Sequence, residues 1–175
     1  MSRAIRKDGF FYLRIFGYSK CLFTFVMFKQ TKTRKMSHLI SSKALFNVLR
    51  AEKKNNGSDF TIKSIISGKD YTYKICRSEF NGKWYTHVKV ESGYMSFIRL
   101  GSYYNGNIYN KRQEVLTPSA VAIAWVLKKV EQQHFDLLDS KIEVMHTGSC
   151  LRCGKTLTDA VSISRGLGDV CASGV

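Results

Sequence analysis

The spacing of the cysteines near the C-terminus is the feature that most constrains how this chain folds. Cys150, Cys153 and Cys171 follow His146 in the order H-x3-C-x2-C-x17-C. Two thiolates separated by two residues can bind one ion across a tight turn, and a third cysteine and a histidine complete the tetrahedral set that structural zinc prefers. The spacing therefore predicts a zinc knuckle in which His146, Cys150, Cys153 and Cys171 hold Zn2+.

Other uses of a Cys-x2-Cys pair have to be weighed against a metal site. A thioredoxin-like redox motif needs a strand, a turn and a helix, whereas Gly154, Gly166 and Gly168 surround these cysteines and no long helical pattern follows them. We find no secretory signal pattern, so we expect a reducing compartment, in which disulfides are rare. A metal site is the favoured interpretation, and a disulfide or redox pair and unliganded thiols are the alternatives.

A longer signature runs through the same segment, from His146 to Ala172. It consists of a Cys-x2-Cys-Gly-basic start, a Leu-Thr step, a Ser-Ile pair, a Gly-hydrophobic-Gly turn and a last cysteine. The segment thereby resembles a family of uncharacterised zinc-binding-like domains found mainly in bacteriophage proteins, although Asp169-Val170 stands where such proteins often have a proline. The resemblance implies a metal site and a phage origin, and no activity. The matching residues are Cys150, Cys153, Gly154, Lys155, Leu157, Thr158, Ser162, Ile163, Gly166, Leu167, Gly168 and Cys171.

The charge of the chain favours a polyanionic partner. The 28 basic and 13 acidic residues give a formal charge of +15, a field that attracts nucleic acid first of all. Residues 1–35 hold nine Lys or Arg and one acid, net +8, which leaves 19 minus 12, or +7, for residues 36–175. About half of this evidence therefore depends on the N-terminal segment.

The N-terminal segment includes an aromatic and apolar stretch, residues 10–28, that is interrupted by Arg14 and Lys20. Each charge at the centre of a bilayer costs roughly 2.5 to 3.5 kcal/mol on insertion scales, which makes a membrane helix marginal. We expect a membrane partner only if residues 10–28 form a genuine membrane segment. The alternatives are an extension upstream of a true start at Met36, a basic membrane-surface segment and a nucleic-acid-binding arm.

Hydrophobic periodicity predicts an α+β fold for the rest of the chain. A helix is expected from Ser41 or Ser42 to about Lys53, and a second from Thr117-Pro118 to about Gln133. Between them, apolar and polar residues alternate, with hairpin turns at Asn81-Gly82 and Asn105-Gly106. We predict an antiparallel β-meander packed by one or two helices and followed by a small C-terminal zinc knuckle. The predicted divisions are a basic aromatic-rich extension (1–35), an α+β domain (36–140) and a zinc-binding module (141–175).

Two groups of residues are predicted to contact nucleic acid. On one strand, Lys83, Tyr85, His87 and Lys89 share a polar face by alternation, opposite Trp84 and Val88, and Lys83, Tyr85 and Lys89 are the predicted contacts. Aromatic residues are also favoured in strands for packing alone, which is the alternative for the tyrosines of the sheet. The second group lies on the predicted zinc knuckle and consists of Arg152, Lys155 and Arg165.

The predicted function is that of a non-enzymatic, zinc-containing phage protein that binds DNA or RNA through a basic surface. We find no phosphate-binding glycine loop, paired carboxylates or nucleophile-base arrangement, so we expect neither catalysis nor a small-molecule substrate. The alternative is a phage early protein that binds and modulates a host protein, with zinc only structural. The expected location is the cytoplasm, which is the host cytoplasm if a phage encodes the protein.

Overall fold

The computed structural model describes residues 4–7 and 10–13, by their backbone, and residues 38–50, 57–93 and 96–173. The chain divides into two compact units, Met1–Thr31 and Lys32–Val175. In the first unit, β1 (Ala4–Lys7) and β2 (Phe10–Leu13) pair as an antiparallel hairpin. The remainder of the stretch 10–28 and the predicted start at Met36 lie outside the described residues. In the described ranges, no helix combines the length and the hydropathy that a bilayer crossing requires.

The second unit is built on an eight-stranded antiparallel sheet, which confirms the predicted α+β class and the meander. The strand order is β3-β10-β4-β5-β6-β7-β8-β9, so that β4 to β9 follow one another in space as they do in sequence. The elements are β3 (His38–Ile40), α1 (Lys43–Leu49), β4 (Asp59–Ser64), β5 (Asp70–Phe80), β6 (Lys83–Gly93), β7 (Ser96–Tyr104), β8 (Asn107–Asn110), β9 (Gln113–Glu114), α2 (Pro118–Glu131), α3 (Phe135–Asp139), β10 (Ile142–His146), α4 (Ala160–Arg165) and α5 (Asp169–Ser173).

Three hairpins of the meander are closed by two-residue turns. Asn81-Gly82 joins β5 to β6 and Asn105-Gly106 joins β7 to β8, as predicted, and all four residues have positive φ. Turns with this geometry match the twist of the flanking strands, which is why Asn-Gly is favoured in them. The third turn, Lys111-Arg112 between β8 and β9, also has positive φ at both residues.

The helices pack on one face of the sheet, which we call the inner face. Helix α2 begins as predicted, because the Thr117 side chain accepts a hydrogen bond from the Ala120 amide (3.4 Å) and Pro118 occupies the first turn. Its core-facing side chains follow helical spacing and are fully buried, and they join the buried side chains of β5, β6 and α1 in one cluster. The members with at most 1% exposure include Ile123, Leu127, Val130, Tyr73, Ile75, Val88 and Leu45.

Trp125 lies on the more exposed side of α2. Its side chain is 39% exposed, and Val121, one helical turn earlier, is 51% exposed. Both lie on the stripe of α2 opposite to the one that carries Ile123 and Leu127. Trp125 instead lines an apolar groove of about 480 Å³ between α2 and the β4–β5 hairpin.

Strand β10 leads the chain into the cysteine segment from within the sheet. It covers Ile142–His146 and pairs with β3 on one side and β4 on the other. The predicted boundary between residues 140 and 141 immediately precedes this internal strand. Leu151, Leu157 and Leu167 of the segment that follows belong to the same buried cluster as the helices and the sheet.

Candidate metal centre and basic sheet face

Three cysteines meet in the segment that follows β10. The sulfur atoms of Cys150, Cys153 and Cys171 all lie within 4.8 Å of one another. Cys150 is buried, Cys171 is half-buried and Cys153 is exposed, so the cluster lies at the surface of the unit. Of the four predicted ligands, the fold therefore brings together the three cysteines.

Backbone hydrogen bonds form the turn that holds Cys150 and Cys153. The amide of Cys150 donates to the carbonyl of Lys155 (2.8 Å), and the amide of Gly154 donates back to the carbonyl of Cys150 (2.8 Å). Gly154 has a φ of 78°, a conformation that a residue with a side chain rarely adopts. This glycine lets the chain reverse directly after Cys153, so that both thiols face the same point.

A short helical segment brings Cys171 to this turn. Helix α4 starts at Asp159, whose carboxylate accepts from the Ser162 amide (2.7 Å), and ends at Gly166 in the left-handed conformation. The Leu151 amide donates to the Gly166 carbonyl (3.0 Å), which ties the end of α4 to the cysteine turn. The chain then turns through buried Leu167 into α5, which carries Cys171.

The thiols have different electrostatic environments. Burial raises the pKa of Cys150, but backbone amides, above all those of Cys153 and Gly168, donate to its sulfur and bring the pKa below its usual value. Burial, with the two neighbouring thiols, raises the pKa of Cys171 to about 12. One thiolate is thus favoured by the fold, and a second in the same space needs a cation to offset the repulsion.

These features fit a metal ion that is held by thiolates, and the predicted zinc ion can be tested against them. Three sulfurs around one ion at Zn–S distances of 2.3 Å would be separated by about 3.8 Å, which a small contraction of the present cluster provides. Amide donors on a ligating sulfur are the usual outer shell of such a site. Cys150, Cys153 and Cys171 would hold the ion, which would link the turn to α5.

His146 lies outside the thiol group among the described residues. It is fully buried, its Nδ1 accepts from the Gly148 amide (3.3 Å) and its Nε2 lies 3.0 Å from the Ile163 carbonyl oxygen, to which it donates. Burial lowers the pKa of His146, outweighing the carbonyl groups of Ile163 and Ser149 that raise it, so that the ring is neutral at pH 7. His146 joins β10 to α4 through its two nitrogens.

The basic residues of the predicted zinc knuckle have different roles. Arg152 is only 7% exposed, and its guanidinium donates to the Cys171 carbonyl (2.9 Å), so it belongs to the packing of the cysteine turn. Arg165 donates to the Leu167 carbonyl (3.2 Å) and pairs with Asp169. Lys155 is exposed, as a phosphate-binding lysine would have to be.

The C-terminal segment is also the part of the chain that is similar to known sequences. Residues 143–175 match a family of unknown function, DUF6011. The match covers the three cysteines and the predicted signature. Searches of curated proteins and of solved structures gave no match.

The outer face of the sheet, opposite the helices, carries the second group of predicted residues. Lys83 and Tyr85 are exposed and Lys89 is half-buried, whereas Trp84 and Val88 point to the inner face. In β7, Arg99 is paired with Lys89. Thr86 is paired with Tyr103, so the next residue, Tyr104, lies beside Tyr85, and its side chain is 73% exposed. This patch of Lys83, Tyr85, Lys89, Arg99 and Tyr104 is called the β6–β7 patch below.

Acidic residues pair with two lysines of the neighbouring strands, whereas the β6–β7 patch keeps a net positive charge. Lys63 pairs with Glu143 (3.2 Å) and Lys74 with Asp59 (3.2 Å), which neutralises the two lysines of β4 and β5. None of these described ion pairs involves a residue of the β6–β7 patch. The patch has three cations, and one acidic residue, Glu91, lies on the same face of β6.

A hydrogen-bonded cluster that the sequence did not predict fixes Arg99. The Arg99 guanidinium donates to Nδ1 of His87 (3.1 Å) and contacts the Ser102 hydroxyl (3.4 Å), and Nε2 of His87 bonds the Ser78 hydroxyl (2.8 Å). Because arginine only donates, Nδ1 of His87 accepts and Nε2 carries the proton. The guanidinium is thereby held at the surface in one orientation.

The His87 cluster gives the stability of the protein a predictable pH dependence. Burial, with Arg99 and Lys89, lowers the pKa of His87, whereas the unfolded chain titrates at about 6.5. As the pH falls through about 6.5, the unfolded chain takes up the proton before the folded protein does. The neutral His87 ring therefore contributes fully to the free energy of unfolding above that pH, and the contribution is lost below it. We expect His87→Gln to reduce the fall in the free energy of unfolding between pH 7 and pH 5, measured by urea titration. His134→Gln, at an exposed histidine, should show the same dependence of unfolding free energy on pH as the native protein. Parallel profiles for His87→Gln and the native protein would contradict this.

Proposed function

We propose that the protein is a non-enzymatic, zinc-stabilised protein that binds nucleic acid through the β6–β7 patch. The observation that carries the proposal is the patch itself: exposed or half-buried cations and exposed aromatic rings lie together on two paired strands, while the lysines of the adjacent strands are neutralised. Lys and Arg provide the phosphate contacts that dominate nucleic-acid affinity.

Zinc has a structural role in this proposal. The three thiols suit zinc because soft ligands in a tetrahedral arrangement select it over the hard cations. Cys171 lies 18 residues beyond Cys153, so one ion would close this loop and hold α5 against the turn. The metal would fix the surface on which Lys155 is exposed.

The exposed tyrosines favour a single strand over a duplex. Tyr85 is 40% exposed and Tyr104 is 73% exposed on the outer face of the sheet, where packing requires neither. A tyrosine ring can stack on an unpaired base, whereas the bases of a duplex are already stacked on one another. A single strand that crosses β6 and β7 would place bases on the rings and phosphates on Lys83, Lys89 and Arg99.

Removal of two cations from the patch should weaken binding. Relative to the native protein, Lys83→Ala/Lys89→Ala is expected to bind a fluorescent 20-nucleotide single strand about tenfold more weakly at 100 mM salt. The slope of log K against log salt should fall by about 1.4, because each phosphate contact on a single strand contributes about 0.7. Fluorescence anisotropy at several salt concentrations measures both quantities.

A charge-matched variant separates this site from general attraction. Lys69→Ala/Lys141→Ala removes the same charge from two exposed lysines beside the Trp125 groove. We expect it to retain at least half of the native affinity. Equal losses in the two double variants, or no binding by the native protein at low salt, would refute the proposed surface.

A further inference from the structure

The β8–β9 turn differs in composition from the other two-residue turns of the sheet. Asn81-Gly82 and Asn105-Gly106 have φ values of 51° and 71° and of 48° and 87°, and each pairs an asparagine with a glycine, as this geometry favours. Lys111-Arg112 has the same pattern, with φ values of 48° and 68°, but neither residue is of a type that adopts it readily. The chain thus uses the favourable dipeptide in two turns and departs from it in the third.

This departure stores backbone strain in an otherwise regular element. A side chain at positive φ brings its Cβ close to the following carbonyl, and two such residues in succession are destabilising. Strained residues of this kind persist where the rest of the structure holds them, and they concentrate at functional sites. Asn-Gly would fit the same turn without strain, so Lys111 and Arg112 are not the residues that the turn geometry by itself favours.

The position of the turn links it to the β6–β7 patch. Tyr109 of β8 is paired with Ser102 of β7, and β8 ends one residue later, running in the direction of Arg99, which is in turn paired with Lys89. Strands lie about 5 Å apart, which places the turn at the end of a row of cations roughly 10 Å from β6. Lys111 and Arg112 are exposed, and no ion pair in the described part of the chain includes them.

We infer that Lys111-Arg112 is a phosphate clamp, a strained turn that holds two adjacent cations against the backbone of the nucleic acid bound at the β6–β7 patch. The inference deepens the proposed function and depends on it. A two-residue turn fixes both Cα positions at the sheet edge, so the two side chains reach the same strand from one side while Arg99 and Lys89 contact it from below. The clamp reads phosphate and not base, and it adds affinity without sequence preference.

The test exchanges the strained turn for the favourable one. We expect Lys111→Asn/Arg112→Gly to raise the midpoint of thermal unfolding by about 3 °C or more, because the strain is removed. The same variant should bind the 20-nucleotide single strand about tenfold more weakly at 100 mM salt, with a salt slope smaller by about 1.4. Lys111→Gln/Arg112→Gln, which removes the charges and keeps the strain, should lose the same affinity while its unfolding midpoint stays near the native value.

The outcomes distinguish the clamp from the proposed function. If the native protein binds and Lys111→Asn/Arg112→Gly binds equally well, the clamp is wrong and the β6–β7 patch stands. An unfolding midpoint that does not rise in this variant would contradict the strain argument. If the native protein binds neither single-stranded nor duplex oligonucleotide at low salt, the proposed function fails and the clamp fails with it.

Discussion

Cys153→Ser is expected to lower the bound zinc from about one ion per chain to less than about one tenth, and the free energy of unfolding by more than about 4 kcal/mol. The side chain of Cys153 is exposed, so its replacement by the similarly sized serine removes little packing. The loss would therefore come from the proposed metal ion, which would tie Cys150 and Cys153 to Cys171 across the chain. Elemental analysis of protein purified without chelator, together with denaturant unfolding, measures both effects.

Another cysteine of the sheet provides the matched control for this variant. Cys76 lies half-buried in β5 and is not a member of the thiol group, so Cys76→Ser should retain the native zinc content. A strong chelator should lower the unfolding midpoint of the native protein towards that of Cys153→Ser and leave Cys153→Ser unchanged. A native protein that contains no zinc, or equal zinc in the two variants, would rule out the metal site.

The parts of the fold that could be predicted are those with local causes. Asn81-Gly82 specifies its turn through the backbone freedom of two adjacent residues, and Thr117-Pro118 starts α2 through one side-chain hydrogen bond and one fixed φ. In the same way, the spacing of Cys150 and Cys153 within one turn was enough to predict that their thiols converge. None of these features depends on a distant part of the chain.

The place of β10 could not be predicted, because it depends on long-range pairing. Its apolar alternation indicates a strand, but a strand of this kind fits either edge of a meander. The structure inserts it between β3 and β4, with Val144 paired to Ile40 on one side and to Ile62 on the other. These buried pairs depend on how β3 and β4 pack against β10, and no local sequence pattern encodes that packing.

The role of Arg99 was hidden by an irregularity in β7. Strict alternation places Arg99 on the same face as Gly101 and opposite to Ser102. The register shifts between β6 and β7, so that Val88 pairs with Gly101 and Lys89 with Arg99, and both Arg99 and Ser102 reach His87. A bulge changes which face every residue beyond it occupies, and the sequence gives it no distinct signal here.

The environment of His146 leads to the second large expected effect. His146→Ala should lower the free energy of unfolding by about 3 to 5 kcal/mol, because it opens a cavity at a fully buried site, leaves the Gly148 amide without its acceptor and removes one of the two hydrogen bonds that the Ile163 carbonyl accepts. The zinc content should remain about one ion per chain, since both ring nitrogens already bond the backbone. Denaturant unfolding and elemental analysis of the same sample test the two parts together.

The two measurements separate a structural histidine from a ligand. The spacing H-x3-C-x2-C suggested His146 as the fourth ligand, and a ligand variant would lose zinc together with stability, as Cys153→Ser is expected to do. A folded His146→Ala protein without zinc would therefore identify His146 as a zinc ligand. Retained zinc with a large loss of stability would assign it to the link between β10 and α4, and His134→Ala, at an exposed histidine, should change neither quantity. In that case the cysteine turn is held in place from two directions, by the ion at its surface and by the buried imidazole beneath it.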